Sequence, residues 1–212
     1  MKYISRILKW SCYAVIFAVA ALLIGRIVMA NYYPDAMTSF RPSEAFVAAS
    51  SEEHVPTVYR QGLRISYDDH DGGRYARFMA NHQYYCPETG ELQIAVRYNS
   101  STLEKLQEDF KLDALPENNP FALFDFTISD NYGNRAYLLE METDQKFMYT
   151  YLKLTFTGID FEVSDWLRVD ICYKGEELNY AKPYGSIVVY ERELVQYNTV
   201  HELTYSEVLR NG

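Results

Sequence analysis

Apolar residues run without a charge from Trp10 to Gly25, pause at Arg26 and resume through Ala30. In helical geometry this stretch rises about 31 Å, the thickness of a bilayer's hydrocarbon core. The pattern predicts one transmembrane helix over residues 10–30. Lys2, Arg6 and Lys9 precede it. Positive charge stays on the cytoplasmic side, so 1–9 is expected inside and the rest outside. Lys9 and Arg26 mark the two membrane boundaries, since a long arginine stem near a helix end reaches the headgroups. A cleavable signal peptide shares the basic start and apolar centre. Val28 and Ala30 are small residues at its −3 and −1 positions, and cleavage after Ala30 would release a secreted protein.

Beyond the span, 31–57 reads as a tether. Pro34 and Pro42 break regular structure, and Pro56 closes a short helix that begins at Ser43, its N-cap. From 58 to 194 the period changes to two. Leu63, Ile65 and Tyr67 alternate with polar residues, as do Leu92, Ile94, Val96 and Tyr98. Phe124, Phe126 and Ile128 follow, then Leu152, Leu154 and Phe156, then Leu167, Val169 and Ile171, then a short apolar strand over 186–191. Each set predicts a strand with one buried face. Gly, Asn and Asp cluster between them at 68–73, 87–90, 130–134 and 174–177, the chemistry of tight turns. One helix interrupts, opened by the capping box Ser101-Thr-Leu-Glu104 and carrying Leu103, Leu106 and Phe110 on one face. A linker spans 112–120. Eight or nine short strands with regular turns predict an all-β ectodomain, an Ig-like antiparallel β-sandwich with one short inserted helix. No Cys and Trp stand at the antibody separation. The C-terminal segment 195–212 has no assigned place.

Composition adds two facts. Tyrosine is abundant, with 20 residues beside 11 Phe, and aromatic enrichment favours strands. All 29 acidic residues lie beyond position 31, against 16 basic ones there, so the ectodomain carries −13. Such a charge disfavours non-specific binding to nucleic acid and to anionic membrane or polymer surfaces, so no nucleic-acid partner is expected. Cys12 lies in the apolar run. Cys86 and Cys172 can pair in an oxidising compartment or stay as two buried thiols.

The segment from Arg26 to Pro34, R-I-V-M-A-N-Y-Y-P, precedes a Tyr-rich β region containing F-D-F-T-I-S-D-N-Y-G-N over 124–134. Together they resemble uncharacterised single-pass proteins of Gram-positive bacteria that join a membrane anchor to an Ig-like extracytoplasmic domain. The resemblance implies a compartment and a fold class. It brings no activity and no functional residues.

Candidate chemistry is sparse. Asp68, Asp69 and Asp71 flank His70 and offer oxygen ligands to a hard cation, yet EF-hand spacing is missing and an acidic hairpin turn has the same composition. His54, His70, His82 and His201 are scattered, with no zinc spacing. Glu140 and Glu142 would share a strand face, as solvated strand residues do and as glycosidase carboxylates can. No phosphate loop or nucleophile elbow occurs. Tyr149 and Tyr151 share a face opposite Leu152 and Leu154, so they are expected to point outward as a binding surface. These patterns predict no enzyme and no cofactor. They predict a membrane-anchored binding or accessory module at the cell surface, with membrane lipid held through 10–30 and an envelope protein as partner. The alternative is a carbohydrate-binding module that stacks envelope polysaccharide on Tyr149 and Tyr151.

Overall fold

The computed structural model describes residues 2–30, 32–61, 78–146, 148–175 and 183–212. Helix α1 covers Lys2–Ala30, and within it Lys9–Met29 is long and apolar enough to cross a membrane, with none of that stretch buried against the rest of the protein. Two short helices follow, α2 (Asp35–Thr38) and α3 (Glu44–Ala49). Ser43 caps α3 as its side-chain oxygen accepts from the Phe46 N–H at 3.2 Å, as the sequence predicts.

The strands are β1 (Val58–Gln61), β2 (Met79–Cys86), β3 (Glu91–Tyr98), then after two helices β4 (Phe124–Asp130), β5 (Arg135–Gln145), β6 (Thr150–Phe156), β7 (Trp166–Tyr173), β8 (Gly185–Glu191) and β9 (Thr199–His201). The helices between β3 and β4 are α4 (Ser100–Phe110) and α5 (Pro120–Leu123), and α6 is Tyr205–Asn211. All the described strands join one antiparallel sheet in the order β8-β7-β4-β5-β6-β3-β2-β1-β9. The all-β class and antiparallel pairing expected from period two are present. The division into two sheets that an Ig-like sandwich requires is not what the ladder shows: this is one curled sheet, a half-barrel.

β5 makes the curl. Arg135 to Tyr137 pair with β4, while Leu138 and Glu140 to Gln145 pair with β6, and the register shifts between Leu138 and Glu140. A bulge adds a residue and sharpens the local twist. The two arms therefore swing toward each other across one core. Phe78 meets Tyr98 and Phe124, each at 5.1 Å between ring centres, and Tyr85 of β2 meets Tyr190 of β8 at 5.3 Å. Leu92, Ile94, Val96, Phe126, Ile128, Leu152, Leu154, Val169 and Ile171 fill the space between the arms. The turn before β3 needs its glycine. Gly90 sits at φ +62°, and a Cβ there would lie 2.8 Å from the Ile159 carbonyl oxygen.

Two expectations are corrected. Residues 32–57 are not a free tether. Met37, Phe40 and Phe46 are buried, and the segment lies across the outer face of β2, β3 and β6 as a strap. Phe40 packs on Phe46 at 5.1 Å and on Tyr84 at 5.9 Å, and Val58, Cys86 and Val208 of α6 complete a second core there. Short apolar runs broken by proline do not look like an element, yet three bulky side chains suffice to seat them. The C-terminal segment thus gains a place over the same face. Second, α4 is capped by Asn99, whose side chain accepts from the Ser101 N–H at 3.1 Å, so the helix starts ahead of the box at Ser101. Of the two alternatives open for the cysteines, the structure has the second: Cys86 and Cys172 are separate, buried free thiols. Cys86 sits in the outer cluster under the strap, while Cys172 lies on β7 beside Asp125. Burial pushes the Cys172 thiol up to about 11, with Asp170 and Asp125 adding to the rise.

Candidate functional site

The strap is held by polar chemistry as well as by rings. On the outer face of β3, Glu91 and Gln93 are buried, and so is Lys153 on β6. Ser43 donates to Glu91 Oε2 at 2.5 Å, and Gln93 Nε2 donates to Glu91 Oε1 at 2.6 Å. Arg41 ties the strap to the sheet twice. Its backbone exchanges bonds with the Gln93 amide, and its guanidinium meets Glu142 Oε1 at 3.0 Å. The same oxygen stands 4.0 Å from Lys153 Nζ. Burial raises the Glu91 carboxyl above the usual glutamate range, while Ser43, Gln93 and Lys153 pull it back. Burial lowers the Lys153 ammonium, against the attraction of Glu142. An acid moved up and a base moved down resemble catalytic tuning. Here both are roofed over, so the layer does structural work: each buried charge has a partner, as burial demands.

At the other end of β3 the strap starts. Tyr33 donates its hydroxyl to the Met79 carbonyl at 2.6 Å and meets Tyr151 edge-on at 5.3 Å. The Arg97 guanidinium lies over Tyr149 at 4.2 Å and over Tyr33 at 5.0 Å. Such stacks contribute about 0.5–2 kcal/mol each. Tyr149 and Tyr151 do project opposite Leu152 and Leu154, as the alternation predicts, yet only Tyr149 keeps partial exposure. Tyr151 is fully buried under Tyr33, with its hydroxyl donating to the Tyr32 carbonyl at 3.5 Å. The expected outward pair is therefore one ring.

The open surface lies on β5. This strand sits in the middle of the sheet but is its most exposed long strand. Tyr137 is 60% exposed and Leu139 is 58% exposed. The bulge explains Leu139: Leu138 pairs with Phe156 and Glu140 with Thr155, which leaves Leu139 between them without a partner. Glu140 and Glu142 do lie on one face, opposite Thr155 and Lys153. Glu142 is committed to Arg41 and Lys153, so the two are not a free acid–base pair. Sequence reasoning missed Tyr137 and Leu139, because a bulge interrupts the alternation that would have marked the strand.

The remaining candidates divide simply. Asp68, Asp69 and Asp71 lie outside the described residues, and among those described no cluster of metal-binding side chains occurs. His54 bonds Glu88 at 2.8 Å on the surface, and His201 packs on Tyr84 with ring centres 5.0 Å apart. Lys9 and Arg26 both lie within α1. Comparison with family models, with curated proteins and with solved structures finds no match.

Proposed function

We propose that this chain is a membrane-anchored, extracytoplasmic, non-enzymatic module that binds a protein partner through the outer face of β5. The observation that carries the reading is the exposure of Tyr137 and Leu139 side by side on a strand in the middle of the sheet. Elsewhere on the described strands, exposed large apolar residues stand singly, Met79 on β2 and Val200 on β9. Neighbouring exposed aromatic and aliphatic residues on a rigid strand supply apolar area at little cost in side-chain entropy. Glu140 and Glu142 beside them favour a partner with a basic rim.

The anchor is α1, and the three basic residues before its apolar stretch support an N-terminus in the cytoplasm and the −13 domain outside. The arms that face each other across one core support reading the half-barrel as Ig-like in packing, with β5 shared between its two layers. Polysaccharide stacking on Tyr149 and Tyr151 has less support, since Tyr151 is closed off.

A photo-crosslinking residue at Tyr137 in intact cells tests the proposal. The expected result is a discrete protein adduct that disappears with Leu139→Ser and does not form from Val200, on the far edge of the sheet. Equal labelling from positions 137 and 200, or none from 137, sinks the β5 interface.

A further inference from the structure

Almost no slack separates the apolar span from the sheet. The span ends at Met29. Four residues later Tyr33 is already fixed, by its bond to the Met79 carbonyl, its contact with Tyr151 and the Arg97 guanidinium above its ring. Pro34 then leads into α2, which packs on β6, β2 and β3. Four residues span at most about 14 Å when fully extended. The end of the sheet that carries Met79, Arg97 and Tyr151 is thus held close to the point where the span leaves the hydrocarbon. The headgroup layer on each side of a bilayer is itself roughly 5–8 Å deep. A domain on so short a leash cannot hang free of the surface.

That end also carries the side chains an interface selects. Tyr32 is 68% exposed, Met79 44% and Met148 41%. Met148 belongs to the tight turn between β5 and β6, where the Lys146 N–H donates to the Tyr149 carbonyl at 3.0 Å. A groove of about 990 Å³ runs between α1 and the domain, lined by Ala21, Leu22 and Gly25 on one side and Tyr32, Tyr33 and Lys146 on the other. Tyrosine and lysine belong at headgroup depth, with apolar walls below them. Lys146 is paired with Asp144 at 2.8 Å, and Arg26 and Asp35 line the same groove with opposite charges.

We propose that this end of the sheet is a phospholipid-docking surface. It rests in the outer headgroup layer with Tyr32, Met79 and Met148 inserted, and a lipid fills the groove beside α1. The proposal depends on the reading of α1 as a membrane anchor. Docking draws on aromatic and thioether burial, because the −13 domain gains nothing from anionic headgroups. The opposite end of the sheet, with Val200 paired to Tyr59 on the β9–β1 edge, then points away from the membrane.

The test uses the full chain with Cys12→Ser in phosphatidylcholine nanodiscs. One variant adds Met148→Cys and a second adds Val200→Cys, each labelled with an environment-sensitive fluorophore. The buried Cys86 and Cys172 thiols stay unlabelled in the folded protein. A lipid with a shallow nitroxide should quench the label at 148 by about twofold or more, the response of a group seated 5–10 Å into the boundary, and leave the label at 200 unchanged. Replacing a third of the lipid with phosphatidylglycerol should alter the quenching by less than about 1.5-fold, since an uncharged contact is insensitive to surface potential. Equal quenching at both positions, or none at 148, overturns the docking surface. Release of the chain by alkaline carbonate overturns the anchor itself, whereas carbonate-resistant protein with an unquenched label at 148 overturns only the docking.

Discussion

Ser43 links two structural claims, the cap of α3 and the polar layer beneath the strap, so its removal is an informative perturbation. Ser43→Ala deletes the acceptor for the Phe46 N–H and the donor to Glu91. Loss of an N-cap costs about 1 kcal/mol. Loss of a hydrogen bond to a buried carboxylate costs about 1.5–3 kcal/mol. The variant should therefore lose roughly 2.5–4 kcal/mol at neutral pH, a large fraction of the stability of a domain this size. Ser43→Gly separates the parts, since glycine caps nearly as well as serine and loses only the Glu91 bond. In a Glu91→Gln background the Ser43→Ala cost should fall by about 1 kcal/mol or more, the signature of two residues in contact.

The pH dependence follows from the same contact. Ser43 stabilises the ionised Glu91, whose carboxyl burial has already raised. Removing Ser43 raises it further, so the penalty is largest where Glu91 is ionised in both proteins. It shrinks as pH falls and the carboxyl is protonated with or without Ser43. Guanidinium unfolding of the full chain in detergent, followed by tyrosine near-UV dichroism, reads all of this. A Ser43→Ala cost below about 0.5 kcal/mol, or a cost that does not vary with pH, would refute the seated strap.

Three further outcomes are expected. Lys153 is buried with its ammonium lowered, so between that value and the ordinary lysine range the unfolded chain binds the extra proton and stability rises with pH. Lys153→Met should remove that rise, which is bounded at about 1.4 kcal/mol per pH unit, and an unchanged slope between neutral and alkaline unfolding curves would contradict the burial. Gly90→Ala should cost more than about 2 kcal/mol, combining a left-handed backbone with a clash at the Ile159 carbonyl, and a neutral result in thermal melts would contradict that turn geometry. Without reductant, denatured protein should titrate three thiols while native protein shields Cys86 and Cys172; a single titratable thiol would establish the bridge instead.

The inner face of the sheet was legible because period two writes itself into sequence when one face is buried. Leu92, Ile94, Val96 and Tyr98 all point into the core as read. The turns at 87–90 and 130–134 were equally plain, since Gly90 and Gly133 both need positive φ. The outer face was not legible. Glu91, Gln93 and Lys153 are polar and alternate correctly, which normally means solvent, and only a distant segment converts that face into an interior. The same long-range covering buried Tyr151 while leaving its alternation intact. Of β5 only the strand face of Glu140 and Glu142 was read, for a local reason: the bulge at Leu139 breaks the period and the polar residues supply no second stripe. The candidate surface on β5 depends on that bulge, so it escaped along with the rest of the strand.

The second core joins pieces from opposite ends of the chain, and that fixes an order of events during biogenesis. Phe40 and Phe46 sit close behind the anchor, while Val208 that packs with them emerges some 160 residues later. With α1 read as the proposed anchor, a chain delivered N-terminus first would commit that helix to the bilayer long before its strap can be finished. Through that interval the groups that end up beneath the strap face water, and β3 waits for β6 across two intervening helices and two strands. Pairings so distant in sequence are slow to form and leave edges open meanwhile. On the proposed reading of α1 as an anchor, the helix would act before folding as well as after it: it would hold a half-made sheet at one place on the membrane until α6 arrives to close it.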